Sequence, residues 1–320
     1  MEPTPARERT CCIAVCTAQR PIMLRACLAS LATQHVAPGW KAEIIVIDNE
    51  QVPRVAGIVE EFSRNCPLPV TYVHEPRRGI PFARNRAIET SLERNAEWIA
   101  FIDDDEVADA DWLGAYLKVA TETRADVLHG LTKYNYPPLC RKWGLAKKPG
   151  RRRDGDRLVC ASTNNVMFRT RLAHRSQGGL RFDTRRALTG GSDTAFFYSA
   201  TDNGARIIHV ADAVVTENVP EERCSYKWRM KRYYRCSASS SSIAIQRKGY
   251  VRAALRLLPR FAWNLIESLA ITLILPFLLI RAEWFRKYLY KAGRRLACAL
   301  GILAAYIGKL PTPYERIDDH

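Results

Sequence analysis

Apolar and polar positions along the chain fall into two alternating kinds of segment. TCCIAVCT at 10–17 is an unbroken run of small and branched apolar residues that stops at the polar QRP. A run of this length, bounded by turn residues, predicts a strand buried on both faces. Pro21 suits a first helical turn, and Met23, Cys27, Leu28 and Leu31 then recur at helical spacing. The alternation continues with a strand at 43–48, a helix at VAGIVEEF and a strand at VTYVHE. RRGIPFARNRAIETSLERN is a loop running into a helix, and EWIAFIDDD is a fourth strand. Strands alternating with helices predict an α/β fold with a mainly parallel sheet covered on both faces, because parallel neighbours need crossover connections. Ligands of such sheets bind beyond the carboxyl ends of the strands. Gln19, Asp48 and Asp103 to Asp105 all fall there.

The pattern changes past residue 140. RKWGLAKKPGRRRDGDR, at 141–157, carries eight basic and two acidic side chains with no apolar period, and is expected as an exposed, mobile loop. RLVCASTNNVMFRTRL reads as a strand pair or a strand with a turn. GGSDTAFFYSATDNGARI begins on glycines and enters a helix, and RIIHVADAVVTEN supplies one or two closing strands. Beyond about residue 220, SYKWRMKRYYR is basic and aromatic, SASSSS is small and polar, and 251–310 holds most of the long apolar stretches. Residues 261–280 would extend about 30 Å as a helix, long enough to cross a hydrocarbon core. They include Trp263, Asn264, Glu267 and Pro276, however, and RAEWFRKYLYKAGRR behind them interleaves six basic residues with aromatics. This favours peripheral or re-entrant attachment to an anionic membrane surface over a span. Residues 296–308 are apolar but short. The expected organisation is a flexible N-terminus at 1–9, a globular domain at 10–235 and a helical, membrane-associating region at 236–320.

Composition narrows the chemistry. With 320 residues, 47% of them hydrophobic, the chain can bury a substantial core. MEPTPARERT lacks the order of a secretory signal, so the catalytic parts are expected in the cytoplasm. The ten cysteines, with no CxxC pair, are expected to be reduced and mostly buried. Cys12 and Cys16 have no second ligand pair for zinc, and His35, His74, His129, His174 and His209 form no metal-ligand pattern. A net charge of +16 would suit a non-catalytic binder of polyanions or anionic membrane. It does not account for FIDDDE, and no nucleic-acid-binding module is visible, so nucleic acid is not expected as a partner. Three adjacent carboxylates at a strand end repel one another and call for a cation. Mg²⁺ or Mn²⁺ takes oxygen ligands, and Mg²⁺ often needs only one or two carboxylates plus substrate phosphates. Asp109 and Asp111 are expected instead to cap the helix WLGAYLKVA.

Over about residues 10–235, ordered motifs carry a family resemblance: IAVCTAQRPIMLRACLASL, EIIVIDNE, HEPRRGIPFARNRAIE, WIAFIDDDEVADADWL, TNNVMFR and FDTRRALTGGSDTAFF. Together they resemble the inverting family 2 glycosyltransferases of GT-A fold, especially bacterial exopolysaccharide transferases of the succinoglycan type. The resemblance implies that Thr17 and Asp48 border the donor's nucleoside base and that Gln19 and Arg20 belong to the donor site. Asp104 would lie near the ribose, Asp103 and Asp105 would hold the metal that bridges the diphosphate, and Arg84 would help position the donor. Asp193 would be the catalytic base, taking the acceptor hydroxyl's proton as that oxygen attacks the anomeric carbon. Ser192 stands where relatives commonly have Glu, and Asp193 has an alternative role as a helix cap. Gly190 and Gly191 would permit close approach of a sugar, or form a plain turn. Asn164 and Asn165 would contact sugar hydroxyls, or bond their own backbone. In KWRMKRYYR, Arg232 or Arg235 would close over the diphosphate, or present a solvated face. The implied cofactor is Mn²⁺ or Mg²⁺. The implied partners are a UDP- or GDP-sugar donor and a glycan or lipid-linked acceptor, at the cytoplasmic face of the membrane. A nucleotidyltransferase of similar topology shares these needs but usually begins with a glycine-rich phosphate loop, which AVCTAQRP lacks.

Overall fold

The computed structural model describes residues 8–142, 152–177 and 179–312. In chain order the main elements are β1 (Arg9–Thr17), α1 (Pro21–Ala32), β2 (Trp40–Asp48), α2 (Ala56–Ser63), β3 (Val70–His74), α3 (Ile80–Glu93), β4 (Trp98–Asp103), β5 (Glu106–Ala108) and α4 (Trp112–Glu122). They continue with β6 (Val127–Asn135), α5 (Pro138–Lys142), β7 (Arg157–Leu158), β8 (Asn165–Arg169), α6 (Ser192–Asp202), β9 (Ile207–Asn218), α7 (Tyr226–Lys248), α8 (Tyr250–Ile274) and α9 (Ala282–Tyr306). The expected basic loop lies largely outside the described residues, at 143–151, as does the N-terminus through residue 7.

The described strands form one mixed, mainly parallel sheet in the order β3-β2-β1-β4-β8-β6-β9-β5, with β7 also on β9. β1 runs parallel to both β2 and β4, and β2 runs parallel to β3. β8 is antiparallel to β4 and β6, while β6 and β9 are parallel with a register shift between His129 and Leu131. The apolar pattern does not mark β5 or β6, because β5 is three residues long and β6 is buried mainly over its first half.

Burial explains the unbroken apolar runs. Ile13, Val15, Ile44 and Val46 face one core with Leu24, Leu28, Trp112 and Tyr116. The alternate residues Cys12, Ala14, Ile45 and Ile47 face a second core with Ala87, Ile88, Phe196 and Phe197. A strand covered on both sides has no polar face to alternate with. In α1 the buried residues are Leu24, Cys27, Leu28 and Leu31, whereas Met23 is 40% exposed. The apolar face therefore starts one residue later than its spacing suggested. Asp111 stands at the N-cap of α4 without a side-chain capping bond, and Asp109 ion-pairs with Lys133 at 3.2 Å instead.

Register sets the strand ends level. Thr17 pairs with Asp48, Asp48 with His74, and Cys16 with Asp103, so one sheet edge collects the polar ends of β1, β2 and β4.

The cysteine expectation needs one correction, since Cys140 and Cys224 form a disulfide with a Cα–Cα distance of 4.9 Å. They lie 84 residues apart and meet because α5 folds against the turn before α7, which no spacing rule reads. The other cysteines are free thiols.

The 235/236 division falls inside α7. This helix is tied to the sheet domain by Arg247 to Asp202, by Arg186 to Gln246, and by Ser239 to the carbonyl of Gly190. α9 packs closely along α7, and a Cβ on Gly301 would lie 2.5 Å from the carbonyl oxygen of Tyr234. Among the described residues one helical stretch, Tyr250–Leu278, is long and apolar enough to cross a membrane, with a mean hydropathy of 1.7 and 17% of its apolar window buried.

Candidate active site

The level strand ends carry a connected polar cluster. Thr17 Oγ1 donates to Asp104 Oδ2 at 2.8 Å, and Arg20 Nη1 donates to Asp104 Oδ1 and to Asp105 Oδ2, both at 3.1 Å. Arg20 is delivered by a tight reversal at Gln19, whose φ of 56° is the left-handed region that a branched or bulky residue avoids. Burial raises the Asp104 carboxyl, against the pull of Arg20 and Thr17.

Asp48 is fully buried at the end of β2. Its Oδ2 accepts from the backbone N–H of Arg54 and Val55 and from the Tyr72 hydroxyl, at 2.9, 3.2 and 2.9 Å. Its Oδ1 is buried and has no partner among the described residues. An unpaired buried carboxylate oxygen is costly and therefore informative, because a ligand N–H would satisfy it.

Asp103 is the last residue of β4. Desolvation there pushes its carboxyl up to about 7 against the pull of Arg84, and Asp105, Asp104 and Asp193 add to the rise. Even so, 42% of its side chain meets solvent, so the crowding is one-sided. Arg84, buried in α3, reaches Asp103 Oδ1 at 3.9 Å and donates to Ser192 Oγ at 3.4 Å. The acidic strand end is thus linked to the start of α6. There Asp193 Oδ1 accepts from the Thr194 N–H at 2.7 Å, within the first helical turn, while Oδ2 has no bonded partner among the described residues.

The remaining expected residues fall into two groups. Gly190 and Gly191 both have left-handed φ, and a Cβ on Gly191 would lie 2.0 Å from Ser239 Oγ. The pair therefore lets α7 approach the turn that leads into Asp193. Arg232 stacks over Trp228, and it and Arg235 make no ion pair among the described residues. Asn165 is fully buried. It accepts from Trp112 Nε1 and the Tyr116 hydroxyl and donates to the carbonyls of Leu131 and Ala213. Asn164 is similarly occupied by Glu106, Thr132 and Ser162. Both asparagines are committed to internal bonds, and we leave them out of the site.

Three residues join the cluster unannounced. Arg223 contacts Asp105 at 3.4 Å and Glu217 at 2.5 Å, beside the acidic strand end. Glu217 is partly buried, and desolvation followed by the nearby Asp105 raises its carboxyl. Glu106 is almost fully buried, and desolvation followed by Asp103 raises its carboxyl well above the ordinary range. The sequence signal for Glu106 was the fourth acid of DDDE. For Arg223 it was a basic residue just upstream of KWRMKRYYR.

Among the described residues no three His, Cys, Asp or Glu side chains converge as a ready metal cage. The donor set still fits a hard cation that completes its shell with phosphate oxygens and water, because Asp103 has an open side and Asp105 offers a second carboxylate. Arg20 and Arg223 already contact Asp105 Oδ2, so they would share it or move aside.

A mixed, mainly parallel sheet, two-sided helical cover and an acidic strand end at the sheet edge are the features of a GT-A fold. The chain belongs to Glycosyl transferase family 2, whose profile matches residues 12–183, more than half its length. It is 31% identical over 253 residues to the succinoglycan biosynthesis protein ExoM of Rhizobium meliloti (strain 1021), covering 76% of this chain and 77% of that protein. Among solved structures it resembles S. aureus TarS 1-349 in complex with UDP-GlcNAc, with a TM-score of 0.55 and 16% identity over 93% of this chain and 92% of that one. Against a longer TarS chain it spans 55% of that chain's length. GalNAc-T7 with UDP, GalNAc and Mn²⁺ aligns with a TM-score of 0.54 and 12% identity, covering 73% of this chain and 51% of that one. These structural likenesses concern the fold. Family membership sets aside the polyanion-binder and nucleotidyltransferase alternatives.

Proposed function

We propose that the protein transfers a sugar, with inversion, from a UDP- or GDP-sugar to a glycan or lipid-linked saccharide during surface or exopolysaccharide assembly. Support comes from the role in ExoM's name, from the UDP-GlcNAc bound by TarS and from the Mn²⁺ bound by GalNAc-T7. One observation carries the reading: the level ends of β1, β2 and β4 bring together the unpaired Asp48 Oδ1, the Thr17–Asp104–Arg20–Asp105 network, and Arg84 bridging Asp103 to the start of α6.

Each residue then has a role. Asp48 Oδ1 accepts a base imino N–H, and Asp104, fixed by Thr17 and Arg20, faces the ribose. Arg20 and Arg223 supply positive charge beside the diphosphate, and preorganised charge of this kind stabilises a leaving group without reorganisation. Asp103 and Asp105 would hold a divalent cation, which would add Lewis-acid charge at the diphosphate. Asp193 Oδ2 takes the proton of the acceptor hydroxyl as that oxygen bonds to the anomeric carbon. The anomeric C–O bond breaks on the opposite face, its electron pair leaves with the diphosphate, and the anomer inverts. Membrane-face attachment through α8 and α9 would bring the protein to a lipid-linked acceptor.

The test is transfer by the purified full chain from UDP- and GDP-sugars to a membrane extract with Mn²⁺, with the product anomer assigned by NMR. Asp193→Asn should lower turnover by about 10²–10⁴-fold, the range of general-base catalysis. Asp105→Ala should lower turnover and weaken its Mn²⁺ dependence. Unchanged turnover in both variants, or retention of the donor's anomeric configuration, would overturn the mechanism.

A further inference from the structure

We infer that the Cys140–Cys224 disulfide is an exchangeable bond, opened by thiol reductants, whose state sets how firmly Arg223 is held beside Asp105. The inference assigns a regulator to the donor site and rests on the reading in which Arg223 acts at the donor's diphosphate.

The bond ties α5 to the 3-10 turn Glu221–Cys224, across 84 positions of sequence. Cys224 is peptide-bonded to Arg223, whose guanidinium lies 3.4 Å from Asp105 and 2.5 Å from Glu217. A cross-link one residue away restrains the backbone from which that guanidinium reaches. An arginine whose root is fixed in advance loses less freedom when it grips a ligand.

Arg229 gives the bond its chemistry. This residue is buried, yet it pairs with no carboxylate among the described residues. Its Nε donates to the Arg223 carbonyl at 2.8 Å, and its Nη2 lies 3.7 Å from Cys140 Sγ. A buried guanidinium with only neutral acceptors is costly. A thiolate at Cys140 is the anion it lacks, whereas a disulfide that served only as a staple would gain nothing from a buried cation beside its sulfur. The same cation makes Cys140 the better leaving sulfur, which directs attack to Cys224. Both cysteines are fully buried against Tyr136, Val219 and Tyr290, so a reductant enters when α5, only five residues long, lifts from the turn.

The exchange then runs in balance. The reductant's thiolate, its proton already given to solvent, attacks Cys224 Sγ. The S–S bond breaks, and its electron pair leaves on Cys140 as a thiolate against Arg229. A monothiol stops there, as a mixed disulfide on Cys224. With a dithiol, the second sulfur displaces Cys224, which takes up that thiol's proton, and the reductant leaves as a cyclic disulfide. Two electrons have passed to the cysteine pair. Cys224 is no longer tied to α5, and Arg223 loses the anchor beside it.

The test uses the full chain in its oxidised form and after dithiothreitol. UDP and GDP dissociation constants are measured by calorimetry with Mn²⁺, and far-UV circular dichroism follows the fold. Reduction should weaken binding of the preferred nucleotide about tenfold, the scale of one charge-assisted contact. In Arg223→Gln the oxidised and reduced forms should bind alike, because the contact that the bond controls is gone. In a second arm, reduced glutathione opens the bond, N-ethylmaleimide traps the products, and peptides are mapped. Glutathione should be found on Cys224 and the maleimide on Cys140. Equal binding by both forms of wild type overturns the inference, as does tighter binding on reduction or an undiminished redox effect in Arg223→Gln. Glutathione on Cys140 overturns the assigned direction of exchange, and loss of the fold on reduction would make the bond a staple, which overturns the regulator. Oxidised wild type that binds neither UDP nor GDP refutes the donor reading instead, and the peptide map still decides the exchange.

Discussion

Asp48 and Asp104 are both buried carboxylates, yet their hydrogen bonds prepare them for different tasks. Asp104 is bonded through both oxygens to Thr17 and Arg20, whereas Asp48 keeps Oδ1 unpaired. Asp48→Asn would turn one acceptor into a donor, in conflict either with the two backbone N–H groups or with an incoming base. Its UDP dissociation constant, measured by calorimetry, should rise about 10- to 100-fold, the scale of one hydrogen bond to a charged group. His129 illustrates a second effect at this scale. Burial, then the proximity of His209 and Arg152, lowers its imidazole to about 4. Unfolded chain takes up this proton below about 6.5, so between there and about 4 the unfolded state binds more protons than the folded one. The contribution to stability is therefore complete above about pH 6.5 and declines as pH falls, levelling near 4. Urea midpoints from pH 7.5 to 4.5 should show wild type losing its margin over His129→Gln on acidification. Parallel slopes would count against this assignment.

Among the elements, the joint between α6 and α7 bears most directly on the chemistry. Phe182 stacks on Phe196 at 4.3 Å, and Phe196 and Phe197 pack edge to face at 5.1 Å, which anchors the helix whose first turn carries Asp193. Gly191 has a φ of +78°, and its missing Cβ leaves space for Ser239. Gly191→Ala meets both backbone strain and a clash, and should cost about 2–4 kcal/mol in thermal unfolding. Gly39→Ala, at a similar φ with nothing within 4 Å, should cost only about 1 kcal/mol. Transfer activity should fall further for Gly191→Ala than its lost stability accounts for, because the turn that orients Asp193 has moved. The glycine pair was legible as a turn or a close approach. That the approaching partner is a serine of α7 was not, because the two segments are joined only by the packing of the helical region on the sheet domain.

For the whole molecule, the outer surface of α8 and the basic surplus belong together. Val251, Leu255, Leu258, Ile266, Leu269 and Leu273 are all more than half exposed. At 100° per residue they form one stripe, with Arg252 and Arg256 beside it. A helix of this kind lies in a membrane interface, where apolar burial and attraction to anionic lipids add. The full chain should co-sediment with phosphatidylglycerol vesicles more strongly than with phosphatidylcholine ones, and less strongly as salt rises. Leu269→Glu with Leu273→Glu should weaken vesicle binding at least about tenfold, because two buried leucines contribute about 3 kcal/mol or more. Equal partition to neutral vesicles, or no effect of the pair, would remove the attachment.

The sequence by itself determined the βα alternation, the two-sided burial of β1, β2 and β4, and the polar strand ends. Each of these is written in residues that are neighbours or lie one helical turn apart, so local periodicity carries the information. The order of motifs likewise pointed to the family and to the acidic strand end. Only the tertiary structure decided which polar side chains meet. Arg223 reaches Asp105 across 118 positions, and Cys140 reaches Cys224 across 84. Asn165 opens β8 beside the acidic end of β4, yet its amide is directed into the core by Trp112 and Tyr116. Contacts of this kind depend on how whole elements pack, through burial and chain crossing, and no single stretch of the chain encodes them.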